Sequence, residues 1–453
     1  MYICLWGELN MRLTIDNIGK IKHADIEMNG ITVIAGDNNT GKSTVGKALY
    51  CIFNSCYNIE SYIDHQKAAR LNTEIGDILR SHVVIDIEKE NHEYELFDLF
   101  LRIRFKNVKP LIKKVTSAED KKTHIYEYLY QEYPKEIIDK LDSINDVCEE
   151  ILGAIDNLKN IPTKKHRISR VHNYFNIVFD RQVVNIFSDS GSVAAYIKEG
   201  TFKAEFDKDG CRDIYVDFIF NNNATLIDNP DIFNNYPLDK TAANFGIYPI
   251  GDLIRKINRE NKSDSVDIDT TLVADKLSKV YEILNRAVKG KFLKSSIQNS
   301  ESFLFDGMSQ PIKLHNLSTG VKSFLTIKRL CENGVLVKKG VLILDEPEVH
   351  LHPDWQLLYA EAIVLLQKEF DLTVLITSHS PTFVRAIECY CDIYDRMDIL
   401  DVYKTRSVNQ YNYTLDNISY SEYGISELYE DFTAPFSELE SMIDEKYENE
   451  EED

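Results

Sequence analysis

The alternation of apolar and polar positions divides this chain into a strand-rich beginning, a helical middle and an α/β end. Residues 13–28 alternate around a turn at Gly19, which predicts a β-hairpin. Residues 31–35 are apolar or β-branched throughout, as expected of a parallel strand buried on both faces. A helix is predicted to follow from residue 42 to about residue 54.

Between residues 57 and 172 the charge rises and the pattern becomes mostly helical. Apolar residues from Ile137 to Leu158 recur at alternating spacings of four and three over three heptads. This spacing fits a short coiled-coil arm or an amphipathic helix packed on the rest of the chain, and so few heptads favour the packed helix. The same region contains clustered basic residues: Lys106, Lys109, Lys113, Lys114, Lys121, Lys122, Lys164, Lys165, Arg167 and Arg170.

Strands return after residue 173. Alternation predicts an antiparallel β subdomain with strands at residues 195–197, 201–206 and 214–220. The Asn-rich residues 221–265 are typical of loops, and a helix is predicted near residues 272–288. A hairpin turning at Asp306-Gly307 and an α/β core reaching about residue 399 complete the pattern.

These changes of pattern predict an α/β fold in five segments. Residues 1–56 and 311–400 form the two parts of the core. Residues 57–172 form a helical insertion or short arm, and residues 173–310 form the returning strands with a helical linker. Residues 401–453 form a C-terminal segment with an acidic tail. The strand pattern begins just after Met11, which makes Met11 an alternative start to Met1.

The net charge of −21 means that any nucleic-acid contact must come from local basic patches or from a partner. No apolar run is long enough to span a membrane, and the first residues do not resemble a secretory signal. The eight cysteines lack the spacing of a zinc site or a disulfide framework. Together these features predict a cytoplasmic protein without a membrane partner.

One motif fits the phosphate-binding pattern GxxxxGK[ST] and lies between a predicted strand and a predicted helix. Glycines let backbone amides face phosphates, and the start of a helix adds a positive dipole. Lys42 is expected to reach the β- and γ-phosphates of ATP, and the Ser43 hydroxyl to bind Mg²⁺. The predicted nucleotide-binding residues here are Gly36, Asn38, Asn39, Thr40, Gly41, Lys42, Ser43 and Thr44.

A second motif places two carboxylates directly after the apolar residues 341–344. A buried strand of this kind delivers its acids to the carboxyl edge of a parallel sheet, where ligands bind. Asp345 is predicted to hold Mg²⁺ through water, and Glu346 to orient and deprotonate the attacking water.

Two further segments are weak motifs when taken alone, and their positions relative to Asp345 and Glu346 support a functional role. Ser318 and Gly320 begin a predicted helix at residues 321–331, about 27 residues before Asp345. His379 ends an apolar strand one strand–helix–strand crossover after Glu346, which predicts a place beside the γ-phosphate.

Four further side chains have candidate roles. Gln182 is the first choice for a glutamine that contacts the metal, with Gln66 as its rival. His350 and His352 fit a dimer-facing loop better than a metal pair.

The order and spacing of these motifs resemble the ABC-ATPase superfamily. The resemblance implies a head with a P-loop sheet core, an antiparallel β subdomain and a helical insertion. It also implies that two heads meet head to tail, so that Ser318 and Gly320 contact the γ-phosphate held by the partner. His379 would then sense the γ-phosphate in its own head.

A narrower resemblance involves residues 340–353 and 377–381, and extends over roughly residues 11–56 and 311–390. These segments look like the OLD-type, SMC- and RecF-like ATPases found in anti-phage systems such as Septu and PARIS. The resemblance implies a sensor or regulatory ATPase subunit that controls a separate nuclease, since residues 380–453 are too few for the nuclease domain of OLD proteins. The transporter-type D-loop aspartate is absent, which argues against a transporter subunit.

The alternative is a DNA-clamping repair ATPase of the RecF or SMC kind without a nuclease partner. A basic groove and hydrolysis stimulated by DNA would distinguish it. The strongly acidic balance and the lack of a long coiled coil favour the first hypothesis.

Overall fold

The computed structural model describes residues 11–84, 107–117, 120–198, 200–229, 232–233, 246–259, 268–294, 301–419 and 424–451. Lys106 from the predicted basic patches lies outside these residues, as do the first ten positions. The chain divides into two compact units. One is Met1–Tyr57 with Arg170–Asp453, which we call the head unit, and the other is Asn58–Ser169, which we call the helical unit.

Fourteen strands are present in the described part of the chain. They are β1 (Met11–Ile18), β2 (Ile21–Met28), β3 (Ile31–Ala35), β4 (Ser190–Ile197), β5 (Gly200–Asp207), β6 (Gly210–Val216), β7 (Ala224–Ile227), β8 (Gly290–Lys294), β9 (Glu301–Phe305), β10 (Ile312–Lys313), β11 (Val341–Asp345), β12 (Thr373–Ser378), β13 (Leu400–Asn409) and β14 (Asn412–Asn417).

The α-helices of the same residues are α1 (Lys42–Cys56), α2 (Ile59–His82), α3 (Lys109–Ser117), α4 (Lys121–Glu132), α5 (Lys135–Ile138), α6 (Ile144–Lys159), α7 (Thr163–Val178), α8 (Pro249–Ile257), α9 (Ile268–Ala287), α10 (Thr319–Glu332), α11 (Pro353–Phe370), α12 (Pro381–Ile393) and α13 (Ser426–Glu451). Short 3₁₀ turns occur at Leu314–Asn316 and Met397–Ile399.

The head unit is built on an eleven-stranded sheet with the order β6-β5-β4-β1-β2-β14-β13-β3-β12-β11-β7. The strands β13, β3, β12, β11 and β7 run parallel, whereas β1, β2, β4, β5 and β6 form an antiparallel part. The predicted α/β fold with a P-loop sheet core and an antiparallel subdomain is confirmed.

Burial explains why the parallel strands are continuous apolar runs. Every residue of β3 and β12 is buried, and β11 is buried up to Leu344. Helices α10, α11 and α12 add apolar side chains to the same core, including Phe324, Tyr359 and Phe383. Parallel strands that carry helices on their faces have no solvent side, so polar alternation is not required.

A separate three-stranded sheet with the order β10-β9-β8 contains the predicted hairpin at Asp306-Gly307. Strand β8, which the pattern did not predict, pairs with β9 on its other side.

Two segments differ from the sequence prediction. The Asn-rich residues 221–265 include a buried strand, β7, which pairs in parallel with β11, and the helix α8. Residues after 400 contribute β13 and β14 to the central sheet, where β13 lies between β3 and β14. The C-terminal segment is therefore part of the sheet that carries the predicted phosphate-binding loop.

The helical unit has its own apolar core, to which α2, α3, α4 and α6 contribute. The predicted amphipathic helix is present but shorter than the heptad pattern, because Ile137 lies in α5, Leu141 lies in neither helix and Ile144 to Leu158 lie in α6. Ser143 accepts a hydrogen bond from Asp146 N and caps α6, which starts a new helix within the heptad pattern. His82 contacts the carboxylates of Asp142 at 2.7 Å and Glu150 at 3.1 Å.

Helix α13 is fixed to the head unit along its first two turns. Leu428 is buried, and Glu427 accepts hydrogen bonds from Lys404 and Arg406. Pro435 lies inside this helix, and the side chains that follow it up to residue 443 are exposed. None of the described helices is long and apolar enough to cross a membrane.

Candidate functional site

The loop between β3 and α1 begins at a position that only glycine can occupy. Gly36 has a φ of 149°, and a Cβ atom there would lie 2.0 Å from Thr405 Oγ1 on β13. Gly41 has a φ of 92° and precedes α1, whose first turn has no side-chain cap. The loop therefore brings backbone N–H groups to the start of a helix, where anions bind.

Lys42 is the most buried charged group of this loop, with 3% of its surface exposed. Its Nζ donates hydrogen bonds to Gly36 O at 2.9 Å and Asp37 O at 2.7 Å, and lies 3.7 Å from Glu346 Oε1. Burial lowers the pKa of Lys42, and the Glu346 carboxylate opposes that shift. The ammonium group is thus folded back over its own loop, within reach of the end of β11.

The ends of β11 and β12 are joined by hydrogen bonds around Thr377. The Thr377 hydroxyl donates to Asp345 Oδ1 at 2.5 Å, and Glu346 N donates to Thr377 O at 3.1 Å. Glu346 itself has a left-handed φ of 48°. This turn points Asp345 and Glu346 away from the strand and fixes the backbone between them.

His379 follows β12 and approaches the same carboxylate. Its Nδ1 lies 3.5 Å from Glu346 Oε1 and 3.8 Å from Glu348 Oε1. Glu348 is 3% exposed, and its Oε1 accepts hydrogen bonds from Ser378 Oγ at 2.6 Å and His379 N at 3.2 Å. Burial raises the pKa of Glu348.

A cavity of about 420 Å³ opens in front of this loop. Its lining includes Asn39–Thr44 and Glu346 from the predicted motifs, and Gln182 from the loop before β4. Phe187 and Tyr411 form one wall, with ring centroids 5.3 Å apart. The volume is in the range of small-molecule sites.

The predicted site residues fall into two groups. Residues Asn39–Thr44, Gln182 and Glu346 line the cavity, and Asp345 and His379 contact its edge through Thr377 and Glu346. Asn38 is exposed on the loop. The second group, Ser318 and Gly320, is not part of the cavity lining among the described residues.

Ser318 and Gly320 lie at the start of α10 in the head unit. Ser318 is exposed, and its hydroxyl accepts a hydrogen bond from Val321 N. A Cβ atom on Gly320 would lie 3.2 Å from His350 O and 3.3 Å from Leu351. The start of α10 therefore packs on the turn that leads away from Glu348.

The remaining candidates occupy ordinary structural positions. His350 is exposed with a φ of 70°, and His352 Nδ1 accepts a hydrogen bond from Asp354 N as the cap of α11. Gln66 lies exposed on α2 of the helical unit. No group of three or more metal-ligating side chains occurs within the part of the chain that is described.

The sequence pattern missed three groups at this edge of the sheet. Lys20 Nζ donates to the Asn39 carbonyl at 3.0 Å and lines the cavity. Asp228 follows β7 and, because Ile227 pairs with Leu344, leaves the sheet next to Asp345. The run Ala-Thr-Leu-Ile-Asp at 224–228 repeats the apolar-then-acidic pattern of β11 and is the signal that predicts it. Glu348 has no comparable signal.

Comparison with known proteins identifies the family of this chain. A family model described as AAA ATPase domain matches residues 11–384. Solved SMC heads are similar to this chain. The Smc head bound to the C-winged helix domain of ScpA has 11% identity, covers 91% of this chain and 98% of its own, and has a TM-score of 0.43. The SMC head of Thermotoga maritima has 12% identity, coverage of 91% and 99%, and a TM-score of 0.38.

A third solved structure is the Smc head with an extended coiled coil bound to the C-terminal domain of ScpA, derived from Pyrococcus furiosus. It has 10% identity, coverage of 90% and 95%, and a TM-score of 0.41. The family match begins at β1, ends within α12, and includes the loop after β3, the start of α10, the end of β11 and His379. The chain belongs to the AAA ATPase domain family.

Proposed function

We propose that this ATPase binds and hydrolyses ATP in a pair of heads that meet head to tail. The observation that carries the proposal is the meeting of Lys42, Glu346 and His379 at one edge of the sheet. Ser318 and Gly320 lie outside that cavity in their own chain, and the exposed Ser318 is available to complete the site of a second copy.

The residues around the cavity fit a nucleoside triphosphate with Mg²⁺. Gly36 and Gly41 leave the two ends of the loop without a side chain, and α1 begins without a side-chain cap. Lys42 supplies a buried positive charge for the β- and γ-phosphates. Ser43 and Asp345 supply the oxygen ligands that Mg²⁺ prefers, and Gln182 is a third candidate ligand. The bound ion would neutralise charge on the phosphates.

Glu346 is the proposed general base. Its backbone is fixed by two hydrogen bonds from its N–H to Thr377, to O and Oγ1, both at 3.1 Å. The carboxylate lies between Lys42 and His379, where it can orient a water molecule and accept its proton. His379 is proposed to contact the γ-phosphate with the ring nitrogen that faces away from Glu346.

Mixing two inactive variants tests the head-to-tail pairing. Lys42→Ala damages the chain's own nucleotide loop. Ser318→Asp keeps a good helix cap but brings negative charge to the surface that would meet the partner's phosphates. A dimer of either variant alone contains no complete nucleotide site. An equal mixture forms mixed pairs, half of all pairs, in which one of two sites is intact, so about a quarter of the wild-type rate returns.

The outcomes of this mixture are distinct. Recovery near one quarter supports shared sites. Two inactive variants that stay inactive when mixed contradict the pairing but leave ATP binding untouched. Wild-type activity in Ser318→Asp alone means that Ser318 has no role at a partner's phosphates. Two further mixtures with inactive Glu346→Gln protein serve as controls. Lys42→Ala mixed with Glu346→Gln should stay inactive, because each change damages its own chain's site, whereas Ser318→Asp mixed with Glu346→Gln should recover about a quarter of the rate.

We further propose that the ATPase is a sensor subunit that controls a separate nuclease in anti-phage defence. The nuclease and the defence role come from the sequence resemblance, and the structure adds a surface for a protein partner, because the second half of α13 carries an exposed apolar stripe among acidic residues. Its members are Phe436, Leu439, Met442 and Ile443. Such a helix fits an apolar groove edged by lysine and arginine, because the chain itself is strongly acidic.

Co-expression with the gene next to this one, followed by mass measurement with and without ATP, tests the partner proposal. A complex with a nuclease that ATP remodels supports it. A bare dimer that forms with ATP and hydrolyses faster with DNA instead indicates a DNA-clamping ATPase.

A further inference from the structure

Glu348 is a buried acid that the nucleotide motifs leave without a role. It lies two residues after Glu346, and its carboxylate folds back toward the end of β12. Among the described residues, the one ion-pair partner within 4 Å is the His379 ring, at 3.8 Å. A carboxylate buried without a lysine or arginine is costly, so its retention calls for an explanation.

The hydrogen bonds of Glu348 are unevenly distributed. Oε1 accepts from Ser378 Oγ and from His379 N, whereas Oε2 is buried and has no hydrogen-bond partner. His379 Nδ1, on the neighbouring side chain, is also buried and without a hydrogen-bond partner. His379 Nδ1 lies 3.8 Å from Oε1 of this carboxylate and 3.5 Å from Glu346 Oε1, and a rotation of the imidazole toward Glu348 would close a hydrogen bond to its carboxylate.

We propose that Glu348 is the positioning residue of His379. Resting on the ATP-hydrolysing function proposed above, this inference gives Glu348 two tasks. Its Oε1 holds the His379 backbone, and its carboxylate accepts a hydrogen bond from Nδ1–H when the ring turns toward the nucleotide. With Nδ1–H donating to Glu348, the other ring nitrogen faces the γ-phosphate, to which it donates when both ring nitrogens carry a proton.

The alternative is that Glu348 acts as a structural strut between β11 and β12. Burial raises the pKa of Glu348, so the ionised carboxylate weakens the fold rather than strengthening it. A strut would do as well with a neutral amide, which keeps an acceptor for Ser378 Oγ and His379 N. The two explanations therefore differ in what happens when the charge is removed and the shape is kept.

A double-mutant cycle of Glu348→Gln and His379→Ala in the full-length protein separates them. We expect Glu348→Gln to lower kcat for ATP by about 10- to 100-fold with little change in KM. Its melting temperature should equal or exceed that of the wild type. In the His379→Ala background, Glu348→Gln should produce no further loss, because it acts through His379. Glu348→Asp, which keeps the charge, should retain part of the activity.

A matched control is Glu361→Gln, which alters a second buried glutamate whose carboxylate accepts hydrogen bonds from Arg286 and Tyr394. This variant should hydrolyse ATP at the wild-type rate. If Glu348→Gln does not fold, Ser378→Ala replaces it in the experiment. This variant removes the hydroxyl that donates to Glu348 Oε1, and its effect on kcat is measured alone and together with His379→Ala.

Wild-type kcat in Glu348→Gln overturns the inference, as does a loss that adds fully to that of His379→Ala. Either result leaves the proposed function intact, provided that the wild type hydrolyses ATP and Lys42→Ala does not. If the wild type does not hydrolyse ATP, both the role of Glu348 and the proposed function are contradicted.

Discussion

Lys42 Nζ lies 3.7 Å from Glu346 Oε1, although one residue follows the third strand of the chain and the other follows the eleventh. This ion pair joins the two parts of the proposed nucleotide site through side chains as well as through the sheet. It also keeps the carboxylate of Glu346 at the mouth of the cavity, where a water molecule beside a phosphate would lie.

Glu346→Gln should lower the rate of ATP hydrolysis by about 100-fold or more, because a general base contributes roughly 10²- to 10⁴-fold. Nucleotide affinity should stay near that of the wild type, since Lys42 and the loop amides are unchanged. Phosphate release and binding of a fluorescent ATP analogue measure the two effects. Glu205→Gln, an exposed glutamate on β5, is the control and should behave as the wild type. Hydrolysis at the wild-type rate in Glu346→Gln would contradict the assignment.

Gly36→Ala should abolish nucleotide binding and destabilise the head unit by about 1–3 kcal/mol or more. The new methyl group would meet Thr405 Oγ1, and the φ of 149° is unfavourable for alanine. Thermal unfolding and nucleotide binding provide the test.

Gly153→Ala is the matched glycine control. Gly153 lies inside α6, and a Cβ atom there has no neighbour within 4 Å. This variant should gain about 0.5–1 kcal/mol of stability, because alanine favours the helix. Equal changes in melting temperature and in nucleotide binding for the two variants would contradict the role assigned to the contact between Gly36 and Thr405.

The helical unit should lose stability as the pH rises above the ordinary pKa of histidine, 6.5. Hydrogen bonds to Asp142 and Glu150 raise the pKa of His82. The stabilisation by His82 is therefore complete below 6.5 and is lost as the pH rises through the raised pKa. Amide hydrogen exchange of residues 58–169 across this range measures the effect, and His82→Gln should flatten it. His124→Gln in the same unit is the control, and an identical flattening there would contradict the prediction.

Phe436→Asp with Leu439→Asp should remove the proposed nuclease partner from the co-purified complex and leave ATP hydrolysis unchanged. Both side chains are exposed, at 68% and 56%, so the melting temperature should not fall. Glu438→Gln on the same helix is the control and should keep the complex. A complex that survives the double substitution would place the partner elsewhere.

Local chemistry explains which features could be predicted from the sequence. Gly36–Ser43 and residues 341–346 were recognisable because phosphate binding and a buried strand impose residue types at fixed spacings. Strand β7 was missed because four residues in an Asn-rich segment carry little pattern, and its stability comes from pairing with β11. The heptad pattern did not predict the break before residue 144. The Ser143 side chain caps α6 and starts a new helix there, which the apolar spacing alone does not indicate. Glu348 is buried against the end of β12, where Ser378, thirty residues away, donates a hydrogen bond to it. The residues next to Glu348 in the sequence therefore do not predict its burial.

The position of β3 in the sheet has a consequence for how this protein is made. Its hydrogen-bonded neighbours among the described strands are β12 and β13, and both come after residue 372. While the ribosome is still translating the preceding residues, the strand that leads into the phosphate-binding loop has no partner. Domains fold as units during synthesis, so ATP can assist this head only after most of the chain has emerged. Until then β3 is an apolar strand without a partner, and we expect a chaperone to protect it from aggregation.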